Sequence, residues 1–311
     1  MSAKAIRERI TSVRNIAKIT RAMEAVAATK MRRSQEAALR ARPFALSSLE
    51  MLENLLIRTP DPPPLLAARP VRNSCLLIIT SDKGLAGAFN AAVLRKAEDW
   101  ISEKEREGKI CSFVTVGRKA HDYTLRKNRR PLENFTGLAD AVRLEETLRM
   151  GDFLIKGYLG DLFDEVYAAS TAFRSTLVQE ARVRRILPVT KEGIREMAEG
   201  ILPERGRYAA SSSRASQSSF SRFRYEYRFE PSPEDVLSSL LPQLLKTHVH
   251  HLILESTASE HSARMVAMKN ASDNAEDLIW GLELLYNKAR QAGITREILE
   301  VTAGKEALEG V

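Results

Sequence analysis

Met265, Met268, Ser272, Ala275, Ile279, Leu282, Tyr286, Ala289 and Gly293 recur at alternating steps of three and four near the end of the chain. A 3.5-residue period marks a helix packed along its length against another helix. Small residues at Ser272, Ala275, Ala289 and Gly293 let the partner backbone approach closely. Upstream, Ser232-Pro233-Glu234-Asp235 supplies an N-cap hydroxyl, a proline at the first helical position and two carboxylates for the positive end of the helix dipole. The spacing predicts one helix from Ser232 to Leu308, about 100 Å long at 1.5 Å per residue. A rod of that length outruns one compact domain and needs covering by something else.

Its partner is sought at the other terminus. Ala3 to Arg58 reads as a second long helix. One apolar stripe runs Ile6, Ile10, Val13, Ala17, Thr20, and a neighbouring one runs Ile16, Ile19, Met23, Val26. An arc that wide predicts burial by more than one neighbour. Lys4, Arg7, Arg9, Arg14, Lys18, Arg21, Lys30, Arg32 and Arg33 surround the stripes with positive charge. Pro43 is expected to bend or interrupt the helix, and Pro60-Asp61-Pro62-Pro63-Pro64 to end it.

Between the helices the texture changes. Strands are expected at Ser74–Ser81, Ile110–Val116, Glu165–Phe173, Leu177–Leu187 and Tyr225–Phe229. Helices are expected at Phe89–Glu107, Arg118–Lys127 and Leu144–Leu159. This alternation predicts an α/β layer domain with a largely parallel sheet and antiparallel strands late in the order. The fold class is therefore α/β: a long antiparallel coiled coil of the N- and C-terminal helices with an inserted α/β (Rossmann-like) domain. The boundaries are 1–59 for the first helix, 70–231 for the α/β domain and 232–311 for the last helix. A Ser-rich loop spans 205–221, and Ser211–Ser219 has nothing to contribute to a core.

Composition narrows the functions. Hydrophobic residues at 44% and charged residues at 28% describe a soluble globular protein, and no apolar run approaches a membrane span. The two cysteines, Cys75 and Cys111, sit in apparent strands without metal-site spacing, which suits a reducing compartment. A net charge of +8 raises the question of nucleic acid, but no reader module or aromatic stacking platform accompanies it.

Ser81-Asp82-Lys83-Gly84 to Gly87, after a strand and before a helix, has the position of a phosphate-binding turn. It lacks both the phosphate-loop and the dinucleotide glycine spacing, and a tight turn needs glycine in any case. His248, His250 and His251 give one usable helical pair, His248 with His251, and no third ligand, so they read as structural or solvent-facing. No catalytic residue, cofactor-binding residue or metal ligand is assigned.

At this point a resemblance enters. Ile6-Arg7-x-Arg9-Ile10-x-Ser12-Val13-x-Asn15-x-x-Lys18-Ile19-Thr20-Arg21-Ala22-Met23-x-x-Val26-Ala27-Ala28-x-Lys30-Met31 resembles the opening of the gamma subunits of F-type ATP synthases. Ser81-Asp82-Lys83-Gly84-Leu85 with Gly87 and Asn90 resembles that family's turn after its first strand, although Ala86 stands where many members carry cysteine. Ser259-Glu260-x-x-Ala263-Arg264-Met265-Val266-Ala267-Met268-Lys269, then Tyr286-Asn287-Lys288-Ala289-Arg290-Gln291-Ala292 and Ile294-Thr295-x-Glu297, resembles its closing signature.

The resemblance implies a non-catalytic central rotor shaft that couples proton-driven turning of a c-ring to ATP synthesis or hydrolysis. Its partners would be the alpha and beta subunits, the epsilon subunit and the c-ring, with no nucleic acid and no membrane span of its own. It would sit peripherally at the cytoplasmic face of a bacterial inner membrane, or an organellar equivalent. It further implies that Met23 and its basic neighbours Lys18, Arg21 and Lys30, with Arg290, Gln291, Thr295 and Glu297, are partner-contact positions. The Ser-rich loop stands where photosynthetic relatives carry a regulatory cysteine pair, which this chain lacks. The competing expectation is a static coiled-coil scaffold.

Overall fold

The computed structural model describes residues 3–59, 63–138, 142–190 and 229–309. Among the described residues ten elements follow in order: α1 (Ala3–Arg58), β1 (Asn73–Ile79), α2 (Phe89–Arg106), β2 (Ile110–Val116), α3 (Arg118–Arg126), β3 (Glu133–Phe135), α4 (Leu144–Leu159), β4 (Glu165–Phe173), β5 (Gln179–Leu187) and α5 (Pro233–Glu309). The chain forms two compact units, one of Met1–Ala27 with Met265–Val311, the other of Ala28–Arg264.

In the first unit α1 and α5 pair antiparallel. Thr20 Oγ1 lies 2.6 Å from Ser272 Oγ, and Arg14 pairs with Glu283 at 3.0 Å, so sequence rises along one helix as it falls along the other. Ile6, Ile10, Val13 and Ala17 bury against Ala275 and Leu282, with Ile279, Tyr286 and Ala289 at the margin. The seam read from the 3.5-residue period therefore exists, but it is shorter than expected. Gly293 is exposed, with open space where a Cβ would stand, and every described side chain from Arg290 to Ala303 faces solvent. The second stripe of α1 also departs from expectation. Ile16, Ile19 and Val26 are 52%, 59% and 55% exposed, because one helix covers only one arc of its neighbour.

The second unit is built on a five-stranded sheet ordered β3-β2-β1-β4-β5. β1 pairs parallel with β2 and β4, and β2 pairs parallel with β3, while β5 runs antiparallel beside β4. β1 is central and buried from Ser74 to Ile79, as an apolar run in a sheet covered on both faces must be. On one face Leu77, Val114, Val166 and Ala168 pack with Met150 and Leu154 of α4, Leu52 and Leu55 of α1, and Leu241, Leu245 and Leu252 of α5. On the other, Leu76, Ile78, Phe113 and Ala169 meet Val93, Ala97, Trp100 and Ile101 of α2.

Local chemistry accounts for the element ends. Ser232 Oγ accepts the amide of Asp235 at 3.1 Å, the N-cap that the sequence predicts for α5. Gly108, at φ +74°, follows α2, where a left-handed residue ends a helix at little cost. The interruption expected at Pro43 does not occur, because α1 runs unbroken through it. Pro242 likewise lies inside α5, whose first turns are held by buried Leu237, Leu241, Leu244 and Leu245. Packing of that kind offsets the roughly 3 kcal/mol that an interior proline costs. β3 was not expected, since three residues between Pro131 and Gly137 leave no period to read. The strand expected over 225–229 and the Ser-rich loop over 205–221 lie outside the described residues, apart from Phe229, which is not in a strand.

Gly117 and Gly84 offer a paired test. Gly117 has φ +87°, and a Cβ there would come within 2.3 Å of the Thr80 carbonyl oxygen, whereas a Cβ on Gly84 meets nothing within 4 Å. Gly117→Ala should cost about 3 kcal/mol or more in urea unfolding, and Gly84→Ala should stay within about 1 kcal/mol. Equal effects would contradict the close approach of β1 and β2 at Gly117.

Candidate functional site

In open α/β sheets, ligands bind where strand order reverses, beyond the carboxyl ends of the strands. Here that place is beside β1 and β4, at the turn Ser81–Ala88. The turn is tied down from within. The Ser81 amide donates to Asn90 Oδ1 at 3.0 Å, and Ser81 Oγ donates to the Lys83 carbonyl at 2.6 Å. Thr80 Oγ1 accepts the Ala120 amide at 2.8 Å. Asp82 takes the Arg118 amide, at the start of α3, and the Gly137 amide, both at 3.0 Å.

An anion at a helix N-terminus is held by such amides; in this chain its place is taken by the chain's own carboxylate. The crevice also receives α5. The Arg264 guanidinium reaches the Lys83 and Gly84 carbonyls at 3.4 and 3.3 Å, and Glu260 at 2.7 Å. The turn is thus a scaffold feature, and it displays Leu85, exposed at φ +61°.

Three of the four histidines on α5, His248, His250 and His251, divide as helical geometry requires. His248 and His251 are buried, so the solvent-facing reading fails for them, while half-buried His250 places Nδ1 2.8 Å from Thr147 Oγ1. Burial drives the His248 pKa down to about 3, with the nearby His251 and Arg184 adding to the effect. His248 is therefore neutral at neutral pH. Among the described residues no three His, Cys, Asp or Glu side chains gather as a metal site would require.

The partner-contact positions fall into separate groups. Lys18, Arg21 and half-buried Met23 lie on α1 near Thr20, which faces Ser272, and Arg21 pairs with Glu276. Arg290, Gln291, Thr295 and Glu297 are exposed on α5, about 27 Å further along the helix at 1.5 Å per residue. Lys30 belongs to the other compact unit and is half-buried.

Sequence reasoning missed the off-seam apolar side chains of α5. Leu278, Trp280, Leu284, Leu285, Ile298, Leu299 and Val301 are exposed, Trp280 at 68%. With Ile16, Ile19 and Val26 they exceed the scattered apolar exposure of an ordinary surface. Their signal was available as apolar residues between the seam positions, which an isolated helix pair has no reason to carry.

Paired long helices with an exposed apolar and basic skin, and an α/β unit whose strand-end turn is held by its own side chains, define the class as a helical stalk with an inserted α/β unit. Comparisons with known proteins agree. A family model described as ATP synthase matches residues 2–308. The chain is 40% identical to the ATP synthase gamma chain of Herpetosiphon aurantiacus, and 39% identical to that of Chloroflexus aurantiacus, over 99% of each chain. The fold matches a chain of the Euglena gracilis mitochondrial ATP synthase OSCP/F1/c-ring structure at TM-score 0.64 and 16% identity, covering 98% of this chain and 94% of that one. It also matches one from the Tetrahymena thermophila central stalk and c-ring at TM-score 0.57 and 22% identity, covering 82% and 99%. The chain belongs to the ATP synthase gamma chain family.

Two outcomes follow from this geometry. Calorimetry of the isolated chain with micromolar ATP should show no saturable one-site isotherm; such an isotherm would mean that the Ser81–Gly87 turn opens to phosphate. The second outcome concerns pH. The folded state holds His248 neutral while the unfolded state protonates it near pH 6.5, so its contribution to stability is full above that pH. It is lost as pH falls toward about 3. The loss approaches about 1.4 kcal/mol per pH unit for one group. Urea unfolding at pH 7 and pH 5 should show a smaller pH dependence in His248→Leu than in the unsubstituted chain.

Proposed function

We propose that this chain is the central rotor shaft of an F-type ATP synthase. The observation that carries the reading is the exposed skin of the α1–α5 pair, large apolar side chains interleaved with Lys18, Arg21 and Arg290, on a chain of the gamma family. The chain is non-catalytic. The alpha–beta hexamer holds and reacts the nucleotides, and the shaft imposes a different conformation on each catalytic subunit as it turns. An asymmetric rod does this by differential contact energy, which shifts the populations of otherwise equivalent subunits. Epsilon and the c-ring are the partners of the α/β unit, and the c-ring supplies the proton-driven rotation.

The charges suit a bearing. Arg14–Glu283 is an exposed pair, worth about 0–1 kcal/mol, and ion pairs of that strength with partner carboxylates hold no single angle deeply. The chain acts peripherally, at the cytoplasmic face of a bacterial inner membrane. Among the described residues no helix is long and apolar enough to cross one.

The test is a reversible lock. Ala292→Cys is paired with a cysteine on the facing loop of beta in the reconstituted complex and oxidised. Cross-linking should stop multi-site ATP turnover while nucleotide binding survives, and reduction should restore it. The native thiols do not compete: burial raises Cys75 to about 12, and burial with the Glu105 charge raises Cys111 to about 11. Full cross-linking with undiminished turnover, here and at a second lock beside Met23, would replace the rotating shaft with a static scaffold.

A further inference from the structure

From His251 to Ser262, α5 is buried without interruption, yet this stretch is rich in polar side chains. Their partners fall on opposite sides. Glu255 accepts the Phe173 amide at 3.1 Å and pairs with Arg184 at 3.2 Å. Ser259 Oγ points to the Thr171 carbonyl at 3.5 Å, and Ser262 Oγ donates to the Thr176 carbonyl at 2.8 Å while accepting from Gln179 Nε2 at 3.4 Å. At about 100° per residue these three positions lie within about 40° of Glu255 on the helix circumference, and all engage β4, β5 or the turn between them.

Glu260 and Arg264 form the other group. Arg264 lies nine positions from Glu255, about 180° round the helix, with Glu260 about 40° from Arg264. Arg264 engages the Lys83 and Gly84 carbonyls of the β1–α2 turn, and also His261 Nδ1 at 3.2 Å. The helix therefore passes between two loops at the same end of two neighbouring parallel strands, and it holds the backbone of both.

We propose that Glu255–Arg264 is a two-sided polar clamp that prevents α5 from turning about its own axis against the sheet, which makes it the torque-bearing joint of the rotor. The proposal rests on the rotor reading above. Apolar packing is non-directional, so a cylinder held only by leucines resists extraction from the core better than it resists twisting. Hydrogen bonds are directional and weaken steeply with angle. Placed on opposite flanks, about 5–6 Å from the helix axis, they resist rotation as a force couple. Buried ion pairs are poor sources of net stability and can specify geometry, which is the contribution a joint needs.

The test measures torsional stiffness in the assembled complex. The shaft is fixed by the oxidised Ala292→Cys lock, a bead is attached through Lys96→Cys on the exposed side of α2, and the angular fluctuation of the bead is recorded. One variant combines Glu260→Gln with Arg264→Met, removing both charges of one arm together so that neither is left buried alone. A second combines Ser259→Ala with Ser262→Ala on the opposite arm, losing only two hydroxyls and keeping the fold. Leu252→Ala, which removes packing from the same helix but no directional contact, is the control.

At least a twofold rise in angular variance is expected for either clamp variant, and little change for the control. Variance equal to that of the unsubstituted complex in both clamp variants would overturn the clamp. So would an equal rise in Leu252→Ala, since packing would then carry the torque. Failure of the unsubstituted complex to rotate before locking would instead overturn the rotor reading, and is seen without any clamp variant.

Discussion

The α/β unit depends on a helical segment that joins its core from far along the chain. Leu241, Leu245, Leu252 and Ile253 of α5 complete the core on one face of the sheet, against strands that precede them by scores of residues. Without them that face, where Leu77, Val114 and Val166 also meet α4 and α1, would be left incompletely covered on a parallel sheet, which tolerates exposure on neither side. The same helix then carries Glu255, Ser259 and Arg264 to the strand ends, where each finds a backbone partner, and Glu260, which pairs with the Arg264 guanidinium. Burial of these groups is tolerable because they are satisfied; left unpaired, each would cost about 1–3 kcal/mol, and more for a charge.

That arrangement shows how an α/β fold with nucleotide-binding topology ties the turn at its switch point to its own side chains. The amides at the start of α3 and at Gly137 are committed to Asp82, and the carbonyls of the β1–α2 turn to Arg264. The donors and acceptors that another protein of this architecture would offer a phosphate hold the chain to itself here. Here the strand ends grip a helix, and function has to be argued from particular surfaces rather than from the architecture.

The α1–α5 pair follows a different economy. Its internal seam is narrow and mixes small residues with a Thr20–Ser272 hydrogen bond, so the backbones lie close and much apolar surface is left outside. Ile16, Ile19, Trp280 and Leu285 are then available to partners, among basic residues whose exposed pairings are weak. A surface that must engage and release repeatedly gains from apolar contact without fixed direction and from charges screened by water.

The sequence by itself determined the elements and their order. Period 3.5 marked the seam, Ser232 capped α5, and alternating strands and helices implied a largely parallel sheet with antiparallel strands late in the order, of which β5 is one, because these signals are local and repeat every few residues. β3 was too short to carry a period. Pro43 has the local signature of a helix breaker, yet α1 continues through it. What only the tertiary structure decided was which polar residues share a joint: Glu255, Ser262 and Arg264 are spaced along one helix, but their partners at Phe173, Thr176 and Gly84 come from distant turns. It also decided that Ile16 and Ile19 stay exposed while Ile10 and Val13 do not, since a stripe is read from one helix but its cover belongs to another.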